Sequence, residues 1–204
     1  MKVQLLNYTP LQICSNAIRT CWQSFDKSDS TNDICGEADK ALIDRVGNQF
    51  KHSSTLEHLF YNFYISGISR ACLQELARHR MASLSVKSTR YTLKELKDDQ
   101  TLDYEKFLVF TGVEQVDNAS KNALDNLRVI LQAGTRNDIA KYCLPESYKT
   151  ELTWSINARS LQNFISLRSS KAALWEIRNL AKDIYEALPE DHKYLFELNS
   201  NESH

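Results

Sequence analysis

Residues 56–67 read LEHLFYNFYISG, and this stretch decides the fold class. Leu59, Tyr61, Phe63 and Ile65 alternate with His58, Phe60, Asn62 and Tyr64, a period of two that belongs to a β-strand. Both sets carry aromatics, so the spacing predicts a strand from Leu56 to Ser66, covered on both faces and ended by Gly67. The apolar run Phe107–Thr111 predicts a second strand. Thr150–Ile156 predicts a third, with Leu152, Trp154 and Ile156 set against Thr153 and Ser155.

Helical spacing surrounds these strands. A helix is expected to start at Pro10 with Thr9 as its cap and to bury Cys14, Ala17, Ile18, Cys21, Trp22 and Phe25. A second runs over Ala38–Phe50 with Leu42, Ile43, Val46 and Phe50 inward, after a flexible polar loop, Asp26–Asp33. Further helices are expected at Ile68–His79, Val116–Ala133, Asp138–Cys143 (stopped before Pro145), Ala158–Arg168 and Ala172–Leu188, with an extended segment at 83–92. Strands and helices do not alternate as βαβ units. The expected class is α+β, a small antiparallel sheet with helices packed on it, in a single domain spanning 1–204.

Composition narrows the function. A chain of 204 residues can bury a real core, and 42% hydrophobic with 25% charged residues is ordinary for a globular protein. A formal net charge of -1 argues against a duplex-binding protein, so no nucleic-acid partner is expected. The five cysteines are odd in number and lack C-x-x-C spacing, which fits a reducing compartment. MKVQLLNYTP shows no apolar signal region and no run of about 18 apolar residues exists, so no membrane partner is expected and the cytoplasm is the expected location.

The segment ARHRMASLSVKSTRYT, 77–92, gathers Arg78, His79, Arg80 and Arg90 with Ser83, Ser85, Ser88 and Thr89. Arginine forks match phosphates, and hydroxyls complete such a cradle. A solvated basic helix end explains the first cations but not the hydroxyls or Arg90. In NARSLQNFISLRSS, 157–170, the stripe Leu161, Phe164, Ile165 continues onto Arg168 and runs back to Asn157, so both ends of an inward face are polar. An inward arginine needs a partner: Glu176, Asp183 or an electron-rich ligand. Otherwise it snorkels to water. HSSTLEH, 52–58, reads as a polar lip beside a ligand or as a structural cluster; its spacing is not that of a metal site. There is no G-x-G-x-x-G and no phosphate-binding glycine loop, so side chains must hold any dinucleotide.

Arg78, His79 and Arg80 followed by seven residues and Ser88 give R-H-R-x7-S, which resembles the signature of flavin-dependent thymidylate synthases. HSSTLEH, SRYT-like 88–92, LPESY at 144–148 and NARSLQNFISLR resemble further blocks of that family in the same order. The resemblance implies an FAD-dependent homotetramer with active sites built between subunits. It implies non-covalent FAD contacts from Ser54, Arg78, His79, Arg80, Asn157, Arg159 and Asn163. It implies dUMP contacts from Glu75, Arg78, Ser88, Thr89, Arg90 and Lys141, with Arg168 against the pyrimidine as the catalytic residue and no metal. NADPH would reduce FAD, and 5,10-methylenetetrahydrofolate would supply the one-carbon unit. Two positions depart from many members: Val86 replaces a glutamate and Lys141 an arginine, which keeps the charge but loses the fork. Two other classes stay open on the residues alone, an RNA- or nucleotide-binding module and another flavin oxidoreductase acting on nucleotides.

Overall fold

The computed structural model describes residues 1–31 and 34–198. Its strands are β1 (Lys2–Tyr8), β2 (Phe60–Ser69), β3 (Ala82–Val86) and β4 (Lys149–Asn157), in the sheet order β1-β2-β4-β3. In chain order the helices are α1 (Leu11–Trp22), α2 (Glu37–Ile43), α3 (Arg70–Leu76), α4 (Thr89–Thr92), α5 (Lys94–Asp98), α6 (Tyr104–Phe107), α7 (Glu114–Gln132), α8 (Asn137–Ala140), α9 (Ala158–Arg168) and α10 (Trp175–Glu186). This is the α+β class that the alternation implies, with a small antiparallel sheet. The chain forms two compact units. One comprises Met1–Lys2, Ile65–Arg78 and Ser85–Leu152; the other comprises Val3–Tyr64, His79–Leu84 and the described residues from Thr153 onward.

In the first unit, Leu124, Leu127 and Leu131 form the inward stripe of α7 and pack with Leu93, Leu96, Phe107, Leu108 and Tyr148. The expected strand Phe107–Thr111 is absent. Phe107 ends α6 instead, and Leu108 makes a single antiparallel bridge to Tyr148. Phe107 and Leu108 are consecutive and both buried, which a half-buried strand's alternation does not allow. Gly67 does not end β2 either: it lies inside the strand at φ +73, a conformation that a side chain would strain, and pairing continues to Ser69.

In the second unit, Leu59, Tyr61 and Phe63 are fully buried, while Phe60 is 48% exposed, so this part of β2 has one buried face rather than two. On β4, Trp154 and Ile156 are buried as the alternation requires. The opening residues, for which no element is expected from the sequence, form β1 with Val3 and Leu5 half-buried between exposed Lys2 and Gln4. Pro10, not Thr9, occupies the cap position of α1. That helix buries Leu11, Cys14, Ser15, Ile18 and Arg19, leaving Cys21, Trp22 and Phe25 exposed.

The reason for that rotation is Asp39 on α2, which is wholly buried. It accepts from Arg19 Nε at 2.7 Å, from Ser28 Oγ and Ser30 Oγ at 2.6 Å each, and from Ser15 Oγ at 3.3 Å. Burial alone would raise the Asp39 pKa; the hydroxyls of Ser28 and Ser30 and the Arg19 guanidinium outweigh it and hold the carboxylate below its ordinary value. The segment expected to be a flexible loop is therefore pinned at Ser28 and Ser30, and Asp29 accepts from the Ala38 and Asp39 amides. Its last two residues, Asn32 and Asp33, lie outside the described residues. Beyond α2 the helix widens to a π-helical turn, Asp44–Gln49, which turns Gly47 rather than Phe50 inward; Phe50 is 60% exposed.

Candidate active site

The candidate residues fall into two sets, one in each unit. In the first unit, Glu75 and Arg78 stand one turn apart at the end of α3, with Arg78 Nη1 3.6 Å from Glu75 Oε2. Arg78 is mostly exposed. Ser88 precedes α4 and is exposed, Thr89 is buried, and Arg90 is exposed. The Arg90 guanidinium lies 4.7 Å from the centre of the Tyr91 ring and donates to the Tyr91 hydroxyl. Asn137 Nδ2 donates to the Arg90 carbonyl at 3.0 Å, so α8 is tied to α4. Lys141, directly after α8, is half-buried. The structure thus gathers Ser88, Thr89, Arg90 and Lys141 around two packed short helices.

In the second unit, α9 carries the set. Asn157 caps it: its Oδ1 accepts from the Ser160 amide at 2.9 Å. Asn157 therefore has a structural task that the inward-face pattern did not reveal. Arg159 is exposed and donates to Glu57 Oε1 at 2.6 Å, while the Ala158 amide donates to the Leu59 carbonyl at 2.8 Å. These two contacts bring the 3-10 turn Ser53–His58, with exposed Ser54, to the start of α9. Asn163, one turn on, is exposed. Arg80 is exposed too, so the two arginines of the R-H-R motif face solvent while His79 between them is 9% exposed.

Arg168 does not snorkel. It is 8% exposed, and its Nε donates to His79 Nε2 at 3.0 Å. His79 in turn meets the Phe164 ring edge-to-face at 5.0 Å and 81°. Arg168 lines a cleft of about 440 Å³ with Asn163, Ser166, Leu167, Ser170, Ala172 and Ala173. Neither Glu57 nor Phe164 had been assigned a site role from the sequence. Glu57 stood in view inside HSSTLEH, and Phe164 sits four residues before Arg168, the spacing that places two side chains on one helix face. Among the described residues no cluster of three or more His, Cys, Asp and Glu could hold a metal ion. Burial raises the Cys14 thiol to about 12, the mark of an inert core cysteine.

The fold is α+β, and in it one guanidinium, that of Arg168, is held almost wholly out of water at a cleft it shares with the amide of Asn163 and the hydroxyls of Ser166 and Ser170. The model for the family described as thymidylate synthase complementing protein matches residues 4–192. A flavin-dependent thymidylate synthase of Campylobacter jejuni (strain RM1221) is 67% identical over 203 residues, covering 97% of this chain and 96% of its own. One from Helicobacter pylori (strain ATCC 700392 / 26695) is 58% identical over 207 residues, covering 97% and 98%. The crystal structure of Helicobacter pylori thymidylate synthase X with FAD and dUMP matches at a TM-score of 0.90 and 57% identity, over 97% of this chain and 98% of that one. The chain belongs to the flavin-dependent thymidylate synthase family.

Proposed function

We propose that this chain binds FAD non-covalently and converts dUMP to dTMP. The one-carbon unit comes from 5,10-methylenetetrahydrofolate, the reducing equivalents come from NADPH, and tetrahydrofolate leaves. The family, matched over nearly the whole chain, supports the overall reaction. The observation that carries it to this chain's own residues is Arg168, a guanidinium held almost wholly out of water at the wall of a cleft.

The donor set fits a flavin dinucleotide. Such a molecule offers a pyrophosphate and a ring rich in acceptors; Arg78, Arg80 and Arg159 supply cations, Asn157 and Asn163 amides, Ser54 a hydroxyl and His79 an imidazole. When bound, the flavin supplies a hydride relay between NADPH and the transferred carbon. The chain's own residues bind and orient. Ser88, Thr89, Arg90 and Lys141 hold the dUMP phosphate, with Glu75 and Arg78 alongside. Arg90 leaves the face of Tyr91 to do so, trading a cation–π contact for a charge-assisted pair. Arg168 stabilises negative charge as it develops on the uracil and favours ionisation at N3. At low exposure a fixed positive charge acts more strongly than it would in water. Ser88 serves binding rather than nucleophilic attack. The working unit is a single domain, assembled as a homotetramer with active sites between subunits and acting in the cytoplasm, with neither nucleic acid nor membrane as partner.

The test is the purified protein itself. It should be yellow, show a flavin absorption spectrum, release FAD on denaturation and sediment as a tetramer. A colourless monomer that takes up no flavin in equilibrium dialysis would overturn the proposal.

A further inference from the structure

We infer that His79 is a positioning residue for Arg168, and that it works as the neutral imidazole carrying its proton on Nδ1. This rests on the proposed role of Arg168 and adds a second task to the flavin contact assigned to His79.

The geometry is specific. Arginine Nε carries a hydrogen and can only donate. At 3.0 Å from His79 Nε2, it requires a lone pair on that nitrogen. A doubly protonated imidazolium has none, and the tautomer protonated at Nε2 has its lone pair on the other side of the ring. The contact therefore selects one protonation state out of three. His79 and Arg168 are 9% and 8% exposed, so water is a poor substitute for either partner.

The ring itself is held from below. Phe164 meets it edge-to-face at 5.0 Å, and Trp154 meets Phe164 at 5.1 Å and 66°. Phe63 closes the row against Trp154 at 6.1 Å. Trp154, Phe63 and Phe164 are wholly buried, so this row is a fixed wall of the core. Phe164 and Arg168 stand one turn apart on α9, and His79 reaches both. An arginine has four side-chain torsions, and fixing them carries one of the largest rotamer-entropy costs of any side chain. Holding its Nε removes most of that freedom before a ligand arrives and sets the plane in which the terminal nitrogens lie. The R-H-R motif thus mixes two functions: its arginines face solvent, and its histidine turns inward to orient a third arginine about 90 residues away.

The test uses FAD-loaded enzyme with histidine labelled by nitrogen-15 in the ring, the His79→Gln protein serving to identify the His79 signals. The expected spectrum shows Nδ1 protonated and Nε2 bare. A cationic ring, or a proton on Nε2, overturns the inference. Kinetics give the second arm. Glutamine places an amide oxygen near the Nε2 position, whereas leucine offers no acceptor. His79→Leu is expected to lower kcat for dTMP roughly ten- to a hundredfold, the worth of one hydrogen bond to a charged group. His79→Gln, which restores an acceptor, should recover most of the loss. If glutamine does no better than leucine while FAD stays bound, or if both simply lose FAD, His79 is not a positioning residue. The nitrogen spectrum reports on the pair whatever Arg168 does in catalysis, so failure of the proposed function and failure of this inference are told apart.

Discussion

Replacing Arg168 by alanine separates a guanidinium that serves chemistry from one that serves packing. The side chain is 8% exposed, and its Nε donates to His79 Nε2 at 3.0 Å. Truncation removes that hydrogen bond from a charged donor, a stability cost of about 1.5–3 kcal/mol. A domain stable by about 5–15 kcal/mol tolerates this, so the protein should fold and keep its FAD. The chemical step should suffer more. Removing one preorganised donor from a developing oxyanion lowers kcat by about 10²–10³-fold, so dTMP formation should fall by more than a hundredfold. Flavin reduction by NADPH without dUMP develops no charge on a uracil and should change far less. Arg168→Lys should rescue only in part, because an ammonium has neither the Nε donor nor the planar fork. The assay is stopped-flow reduction run beside steady-state dTMP production. If both rates fall together, or the alanine protein is unfolded, Arg168 is a structural partner and the reasoning fails.

Three further outcomes are expected. Arg90→Ala should weaken dUMP binding by about ten- to a hundredfold and Ser88→Ala by less, measured by calorimetry, since only the arginine supplies a charged fork; abolished turnover in Ser88→Ala with dUMP and FAD still bound would return serine as nucleophile. Asp39→Ala strands the buried Arg19 charge and should cost about 3–5 kcal/mol in urea unfolding; a loss below about 1 kcal/mol would show the pair to be incidental. His192 is 1% exposed and shares a 2.8 Å hydrogen bond with the Tyr61 hydroxyl. Burial holds its pKa below the ordinary value of 6.5 against the opposing pull of Asp191. The unfolded chain then binds a proton that the folded one does not, so stability should be full above pH 6.5 and fall as pH drops below it. His192→Gln should flatten that slope, and an unchanged pH profile would place the titration elsewhere.

What the sequence disclosed depended on how locally each feature is determined. Helix α9 and strand β4 were legible because their apolar residues keep one period from end to end, and Arg168 drew notice because it breaks that period. The face of α1 departs from its sequence pattern because Asp39, 20 or more residues away, draws Ser15 and Arg19 inward and leaves Trp22 in water. No pattern within the helix encodes that. Strand β1 was legible in principle, since Val3 and Leu5 alternate with Lys2 and Gln4, but seven residues at a sheet edge carry a weak signal. Phe107 and Leu108 mimic a strand because two buried neighbours look alike whether a helix end or a ladder buries them. In the site, the charged and amide residues were visible as types at set spacings. The neutral state required of His79 was not, because it follows from a hydrogen bond between residues about 90 positions apart.

The most direct measurement is dTMP formation by the purified, FAD-loaded protein supplied with dUMP, 5,10-methylenetetrahydrofolate and NADPH, followed by chromatography of the nucleotides. One dTMP and one tetrahydrofolate are expected for each NADPH oxidised in the coupled reaction, and no dTMP when dUMP, the folate or the reductant is left out. Steady NADPH oxidation with FAD bound but no dTMP, or dTMP accompanied by dihydrofolate in place of tetrahydrofolate, would contradict the proposed function.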